Sequence, residues 1–387
     1  MPASVTGSPL VKLDAASRIS LSTPDLRGRE AEYLAQCVRD NWVSSAGPFV
    51  VAMEERMAVL TARRHAIATV NGTAALHLAV MAANVVPGDL VIVPDWTFAA
   101  TAAAVVHAGA EPYFVDVTAA TWTLDPQLVE EAIHRAPRRV SAVIAVHVSG
   151  LPADMDALAE VCSRHRIPLI EDAAGAIGAR FRGKPAGSFG QISCFSFNGN
   201  KIVTAGGGGM LLTDDAEIAA FVRSRSTTAR KGAEYEHDAV GWNYRMTNVN
   251  AAIGIAQLER LDEMVAAKQR IAARYDAALQ SRPDIRAMPR PAWAEHNCWL
   301  YNARVAEEAD AGNLVERLGA QRIEARRFWR SLSAQAPYTA APRLLRDVSA
   351  SLSGSVVTLP CSSHLSDEEQ SRVIAVLNAW RGAAALQ

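Results

Sequence analysis

The chain of 387 residues is poor in lysine. It holds five (Lys12, Lys184, Lys201, Lys231 and Lys268) against 34 arginines, at a net charge of −1. So balanced a charge offers no field for a nucleic-acid backbone or an anionic membrane, and neither is expected as a partner. Cysteine is scarce: five thiols, scattered and never spaced C-x-x-C. That excludes a disulfide framework and a zinc ribbon, and it fits a reducing compartment. The nine histidines form no H-E-x-x-H or H-x-x-x-H pair, so no metal site is expected. No G-x-G-x-x-G follows the first strand, and the run Gly206–Gly209 leads into Met-Leu rather than Lys-Ser/Thr. A nicotinamide site and a Walker-type loop are thereby set aside. The N-terminus lacks the apolar core of a secretory signal. The longest apolar run, 74–86, is too short to cross a bilayer and carries His77. A cytoplasmic location is expected.

Short β-branched runs alternate with helical stretches. Strands are predicted at 91–94, 112–117, 140–148, 167–172, 191–197 and 208–214, with helices at 98–110 and 154–166. Strand–helix–strand alternation requires crossovers, hence a mainly parallel sheet between helices, with functional groups at the carboxyl ends of its strands. From 247 the pattern reads as one long helix, starting at a Thr247 or Asn248 cap and stopping before Pro283. Beyond it, strands at 299–305 and 355–360 alternate with helices at 311–320 and 366–380 to give a smaller α+β domain. The expected division is an arm (1–28), a large domain (29–250), and a linking helix with a small C-terminal domain (251–387), the last residues forming a fraying tail.

Four strand ends carry residues of one chemistry. Gly72 and Thr73 open a helix after a strand, where free amides and the helix dipole bind phosphate. Trp96 and Phe98 follow another strand and offer a ring for stacking. Glu171-Asp172 ends an apolar strand, where a buried acid needs a partner such as a protonated ring nitrogen. Ser196 and Lys201 flank a charge-poor turn, and only lysine of the two long cations can attack a carbonyl as an amine. Each piece alone also fits a plain structural role: an N-cap, core packing, a turn-capping acid, a solvated loop lysine. Together they are the four contacts that pyridoxal 5'-phosphate requires.

With these residues in view the chain resembles the DegT/DnrJ/StrS-type sugar aminotransferases, a branch of the fold-type I pyridoxal-phosphate enzymes. The resemblance runs from "ISLSTPDLRG" to "VVTLP" through "ATVNGTAALHLAV", "VPDWTFAATAAAVVHAGAEPYFVDV", "IEDAAGAIGARFRGKPAGSFGQISCFSFNGNK" and "GWNYRMTNVNAAIGIAQLERLD". It is nearest the nucleotide-sugar 4-aminotransferases of the bacillosamine and legionaminic-acid pathways. It implies that Lys201 bonds the cofactor aldehyde and Asp172 pairs with the ring nitrogen. Phe98 covers the ring, and Gly72, Thr73 and Ser196 hold the phosphate. Asn243, with Arg245 nearby, reaches the phosphate from the neighbouring subunit of a homodimer, so the active site is shared. The implied partners are L-glutamate and a nucleotide-linked keto sugar, acted on at position 4 of a 4-keto-6-deoxy sugar. An 8-keto sugar acid, a cyclitol ketone, or a non-catalytic sensor role for the same fold are the alternatives. Trp96, His147, Arg245, Arg326 and Arg327 are the candidate substrate contacts, the last two as forked donors to a diphosphate. One position departs from the pattern: Gly175 stands where the family often has Gln or His.

Overall fold

Near-continuous apolar runs fill both faces of the central sheet. The computed structural model describes residues 18–232 and 235–383. Residues 1–17 of the expected arm and 384–387 of the expected tail lie outside that range. The strands in chain order are β1 (His65–Thr69), β2 (Leu90–Pro94), β3 (Glu111–Val115), β4 (Val140–Val146), β5 (Leu169–Asp172), β6 (Ile192–Ser196) and β7 (Gly209–Thr213). They are followed by β8 (Ile285–Ala287), β9 (Tyr301–Val305), β10 (Arg326–Arg327), β11 (Arg343–Leu344) and β12 (Val356–Leu359). Eight of them make the central sheet, in the order β1-β7-β6-β5-β4-β2-β3-β11. All neighbours run parallel except at β7, which is antiparallel to both β1 and β6.

The helices in chain order are α1 (Glu30–Arg39), α2 (Pro48–Thr61), α3 (Gly72–Ala82), α4 (Ala99–His107), α5 (Pro126–Arg135), α6 (Met155–His165), α7 (Ala216–Ser226), α8 (Asn248–Leu258) and α9 (Leu261–Leu279). Then come α10 (Glu308–Ala320), α11 (Val348–Leu352) and α12 (Asp367–Ala379). On one face of the sheet, Val91, Val93, Ile144, Ile170 and Leu211 pack against α3, α4 and α7. On the other, Ile92, Val143 and Leu169 meet α5 and α6, while Ala68, Phe195 and Leu212 meet α2, α8 and α9. Burial on both faces is what parallel strands with helical crossovers demand. This is the mainly parallel sheet between helices expected from the strand–helix alternation. Its smaller C-terminal part is a four-stranded antiparallel sheet, β8-β9-β12-β10, whose core with α9, α10 and α12 includes Tyr275, Tyr301, Leu314 and Leu377. Ser366 and Glu369 close a capping box at the start of α12.

The single long helix expected from 247 is two helices. Thr247 caps α8 as expected, its hydroxyl accepting from Asn250 N. The chain then breaks at Glu259–Arg260 before α9 begins. Arg260 leaves helical geometry (φ −111°, ψ 10°) and pairs with Asp25 at 3.1 Å and Glu263 at 2.9 Å. No glycine or proline marks this break, so the periodic pattern runs through it. From Ile19 onward the N-terminal segment crosses the smaller part of the molecule. Ile19 N–H donates to Arg322 O at 3.0 Å, and Cys361 N–H donates to Leu21 O at 2.9 Å.

Candidate active site

The carboxyl ends of β5 and β6, the start of α3 and the residues after β2 surround one cavity of about 410 Å³. Gly72, Thr73, Phe98, His147, Asp172, Ser196 and Lys201 all line it. A larger hollow of about 1000 Å³ opens near the amino ends of β4, β5 and β6, among Arg139, Arg166, Asp215 and Glu217. It brings no amine against a buried acid, so the chemistry belongs to the smaller cavity.

The phosphate end is built by close approach. Asn71 caps α3, its side chain accepting from Ala74 N at 2.8 Å. The amides of Gly72 and Thr73 fall in the first turn, where a helix leaves its N–H groups without internal partners. A Cβ at Gly72 would stand 2.8 Å from Ser196 Cβ, so only glycine lets the helix start meet that hydroxyl-bearing side chain. Behind it, a Cβ at Gly209 would stand 2.5 Å from Asn71 O and 2.8 Å from Gly72 N. The glycine run thus gives its room to the backbone of the cradle, not to the cavity.

The acid and the amine meet in the middle. Strand alternation turns Glu171 and Asp172 to opposite faces. Glu171 accepts from the amides of Gly187, Phe189 and Gly190 at 2.6–2.8 Å. Burial opposes its ionisation, but the bond to His147, the Gly190 amide and the charge of Arg63 outweigh it and hold the group below its ordinary range. Asp172 faces the cavity, accepting from the Thr101 hydroxyl at 2.8 Å and from Ala174 N at 3.2 Å. Burial raises its pKa, and those two donors and the Lys201 charge do not cancel the rise. Burial also brings Lys201 down to about 7, against the pull of Asp172. Such an acid is one cation short of balance, and such an amine is neutral half the time near neutral pH. Both conditions fit a cofactor with a protonated ring nitrogen and an aldehyde. A phosphate, in turn, suits the Gly72–Thr73–Ser196 cradle.

Several expected contacts fall elsewhere. Trp96 is fully buried and donates Nε1–H to Trp329 O at 3.0 Å, so it is core and not cavity wall. Phe98, two residues on, is 58% exposed and lines the cavity. His147 borders the cavity with both nitrogens engaged: Nδ1 accepts from Ala153 N at 3.1 Å, which leaves Nε2–H for Glu171 at 3.0 Å. It has no free atom for a substrate. Arg326 and Arg327 lie on β10 outside the residues that line the cavity, paired with Glu324 and Glu308 at 2.7 Å each. Arg245 lines a separate hollow beside Gly47 and Arg223. Asn243 bridges Thr227 and lies off the cavity within its own chain. Its neighbours Trp242 and Tyr244 sit against His77 of α3, with ring centroids 5.0 and 6.0 Å away.

Sequence reasoning also missed three contributors: Thr101 of α4, which donates to Asp172, and the two tryptophans Trp299 and Trp329, which line the cavity. The vacancy at Gly175 was the available signal for Trp299. Among the described residues no group of three or more His, Cys, Asp or Glu gathers as a metal site, and no helix is long and apolar enough to cross a membrane.

The profile of the DegT/DnrJ/EryC1/StrS aminotransferases matches residues 24–378. The chain belongs to that family. It is accordingly an aminotransferase that depends on pyridoxal 5'-phosphate. The GDP-perosamine synthase of Caulobacter vibrioides is 39% identical over 365 residues, 93% of this chain and 98% of that one. DesI, solved in the presence of its TDP-sugar product, superposes with a TM-score of 0.84 at 31% identity, covering 94% of each chain. Spr1654 of Streptococcus pneumoniae, solved in a PLP-form, gives 0.87 at 26% identity, over 94% of this chain and 98% of that one.

Proposed function

We propose that this aminotransferase moves an amino group from L-glutamate to the keto carbon of a nucleotide-linked sugar, at position 4 of a 4-keto-6-deoxy sugar. The observation that carries this reading is the convergence of Lys201 and Asp172 on one cavity above a phosphate cradle. The sugar nucleotides named for the C. vibrioides synthase and for DesI support the acceptor class.

When bound, pyridoxal phosphate supplies an aldehyde for the amine and a ring that draws electrons from the neighbouring carbon. Lys201 is the residue to bond it. Gly72, Thr73 and Ser196 hold its phosphate, and Phe98 covers its ring. Asp172 presents a carboxylate, braced by Thr101, to the ring nitrogen. With its pKa near 7, the Lys201 Nζ takes a proton from the donor's α-carbon and gives one back, because a group titrating near the working pH does both. Asn243, with Arg245 nearby, completes the phosphate contacts from the neighbouring subunit of a homodimer.

The test is a panel of GDP-, UDP- and TDP-linked 4-keto-6-deoxy sugars with L-glutamate, read by product mass and by 2-oxoglutarate release. An aminosugar and 2-oxoglutarate should appear in equal amounts, and Lys201→Ala should abolish both. Full turnover in Lys201→Ala, or no 2-oxoglutarate with any keto sugar, defeats the reading.

A further inference from the structure

The space beside Gly175 is taken by another residue. A Cβ built on Gly175 would stand 2.3 Å from Trp299 Cε3 and 2.9 Å from Cζ3. No side chain fits at 175 while the indole is there. The tryptophan is held from three directions. Its Nε1–H donates to Asn200 O at 2.8 Å, one residue before Lys201. Its backbone N–H donates to Asn297 Oδ1 at 2.9 Å, and Asn297 Nδ2 donates to the carbonyls of Gly175 and Ile177 at 2.9 and 2.7 Å. Its carbonyl accepts from the buried Lys268 Nζ at 3.1 Å. One residue is thus tied both to the loop after Asp172 and to the turn that carries the amine. Against its ring lies Lys201 Nζ, 3.3 Å from the centroid.

We propose that the Trp299 indole is the resting platform of the Lys201 amine, holding it in the cavity whenever it is not bonded to the cofactor, and that Gly175 is the vacancy that admits the ring. This rests on the reading of Lys201 as the working amine. It makes Trp299 a positioning residue. An aromatic face attracts an ammonium more than a neutral amine, so the platform favours the protonated form. Asp172, at the end of β5, is the charged group that acts on the amine, in the same sense. His147, at the end of β4, acts on Asp172. Lys268 lies behind the tryptophan on its carbonyl. The neighbouring Gly175, Ser196, Asn198 and Asn200 add no charge. Desolvation works against all of these, and the ring offsets part of it.

The small number of lysines makes this measurable. The full chain, freed of cofactor and labelled with carbon-13 at the lysine Cε, gives one signal per lysine, and Lys201→Ala identifies the relevant one. Trp299→Leu should lower the titration point of Lys201 by about one pH unit. Trp299→Phe, which keeps an aromatic face, should recover most of that shift. Gly175→Ala, which pushes the ring from its seat, should move the titration as Trp299→Leu does. Uniform 5-fluorotryptophan weakens the ring face while keeping its shape, and should give a smaller downward step in a normally folded protein. An unchanged Lys201 titration in folded Trp299→Leu overturns the platform. Should that variant not fold, an unchanged titration in the fluorinated protein does the same. An unchanged titration in Gly175→Ala overturns the role of the vacancy. None of these readings depends on turnover, so their failure is distinct from survival of activity in Lys201→Ala.

Discussion

Lys201 attacks a carbonyl only when its amine is neutral. Its pKa of about 7 in the cofactor-free protein fixes how capture should depend on pH. Below that value the amine is mostly ammonium and inert; above it the free amine dominates. The rate at which apoprotein gains the colour of bound pyridoxal phosphate should therefore climb as pH rises through about 7 and flatten a unit above. A rate still climbing steeply near the ordinary lysine pKa of 10.5 would show that burial does not depress the amine. Asp172 invites a second test. Thr101→Val removes the hydroxyl that Asp172 accepts from and leaves the shape nearly unchanged. Cofactor affinity should drop about tenfold, the size of one lost bond to a charged group, with thermal stability little changed. Equilibrium binding of pyridoxal phosphate and a melting curve decide it. At this scale Lys201, Asp172, Gly72 and Ser196 were legible because their chemistry is rare at strand ends. Trp96 and Phe98 could not be separated, because no sequence pattern says which way each turns after β2. The surroundings of Arg326 and Arg327 were not legible, because a pair of forked donors reads alike whether it meets a diphosphate or Glu324 and Glu308.

Among the elements, α3 and β7 define the cradle jointly. Gly209→Ala would drive a methyl group into Asn71 O and Gly72 N, two backbone atoms that cannot swing aside. The start of α3 must shift, so cofactor binding should weaken by more than an order of magnitude while unfolding stability falls by about 1–3 kcal/mol. Binding titration and denaturant unfolding of the same variant measure both, and unchanged binding would sever β7 from the cradle. The longer strands were legible to within two residues, because β-branched runs bounded by Gly, Pro and Asp have few other readings, whereas the short β8, β10 and β11 were not. The join of α8 and α9 was not. Its break is imposed by Arg260 reaching Asp25, a partner 235 positions away. Both helices keep their apolar periods on either side, and no local residue announces the bend.

The whole molecule is where Asn243 becomes testable. Within its own chain it lies off the Lys201 cavity, bridged to Thr227. If it serves the neighbouring subunit, chains carrying Lys201→Ala and chains carrying Asn243→Ala, each impaired alone, should regain activity when unfolded and refolded together. The mixed dimer then holds one site with both residues intact. No gain on mixing places both residues in a single chain's site. A smaller α+β part after the large sheet was legible, but the return of β11 to the central sheet was not. The path of the first residues was not, because a strand with one bridge partner leaves no periodic trace. That path bears on how the molecule comes into being. Ile19 and Leu21 find their backbone partners at Arg322 and Cys361, some three hundred positions downstream. A nascent chain cannot pair Ile19 and Leu21 until Arg322 and Cys361 have been made. The segment around Ile19 and Leu21 is thus among the last to settle, and a product truncated before Arg322 leaves it without these partners.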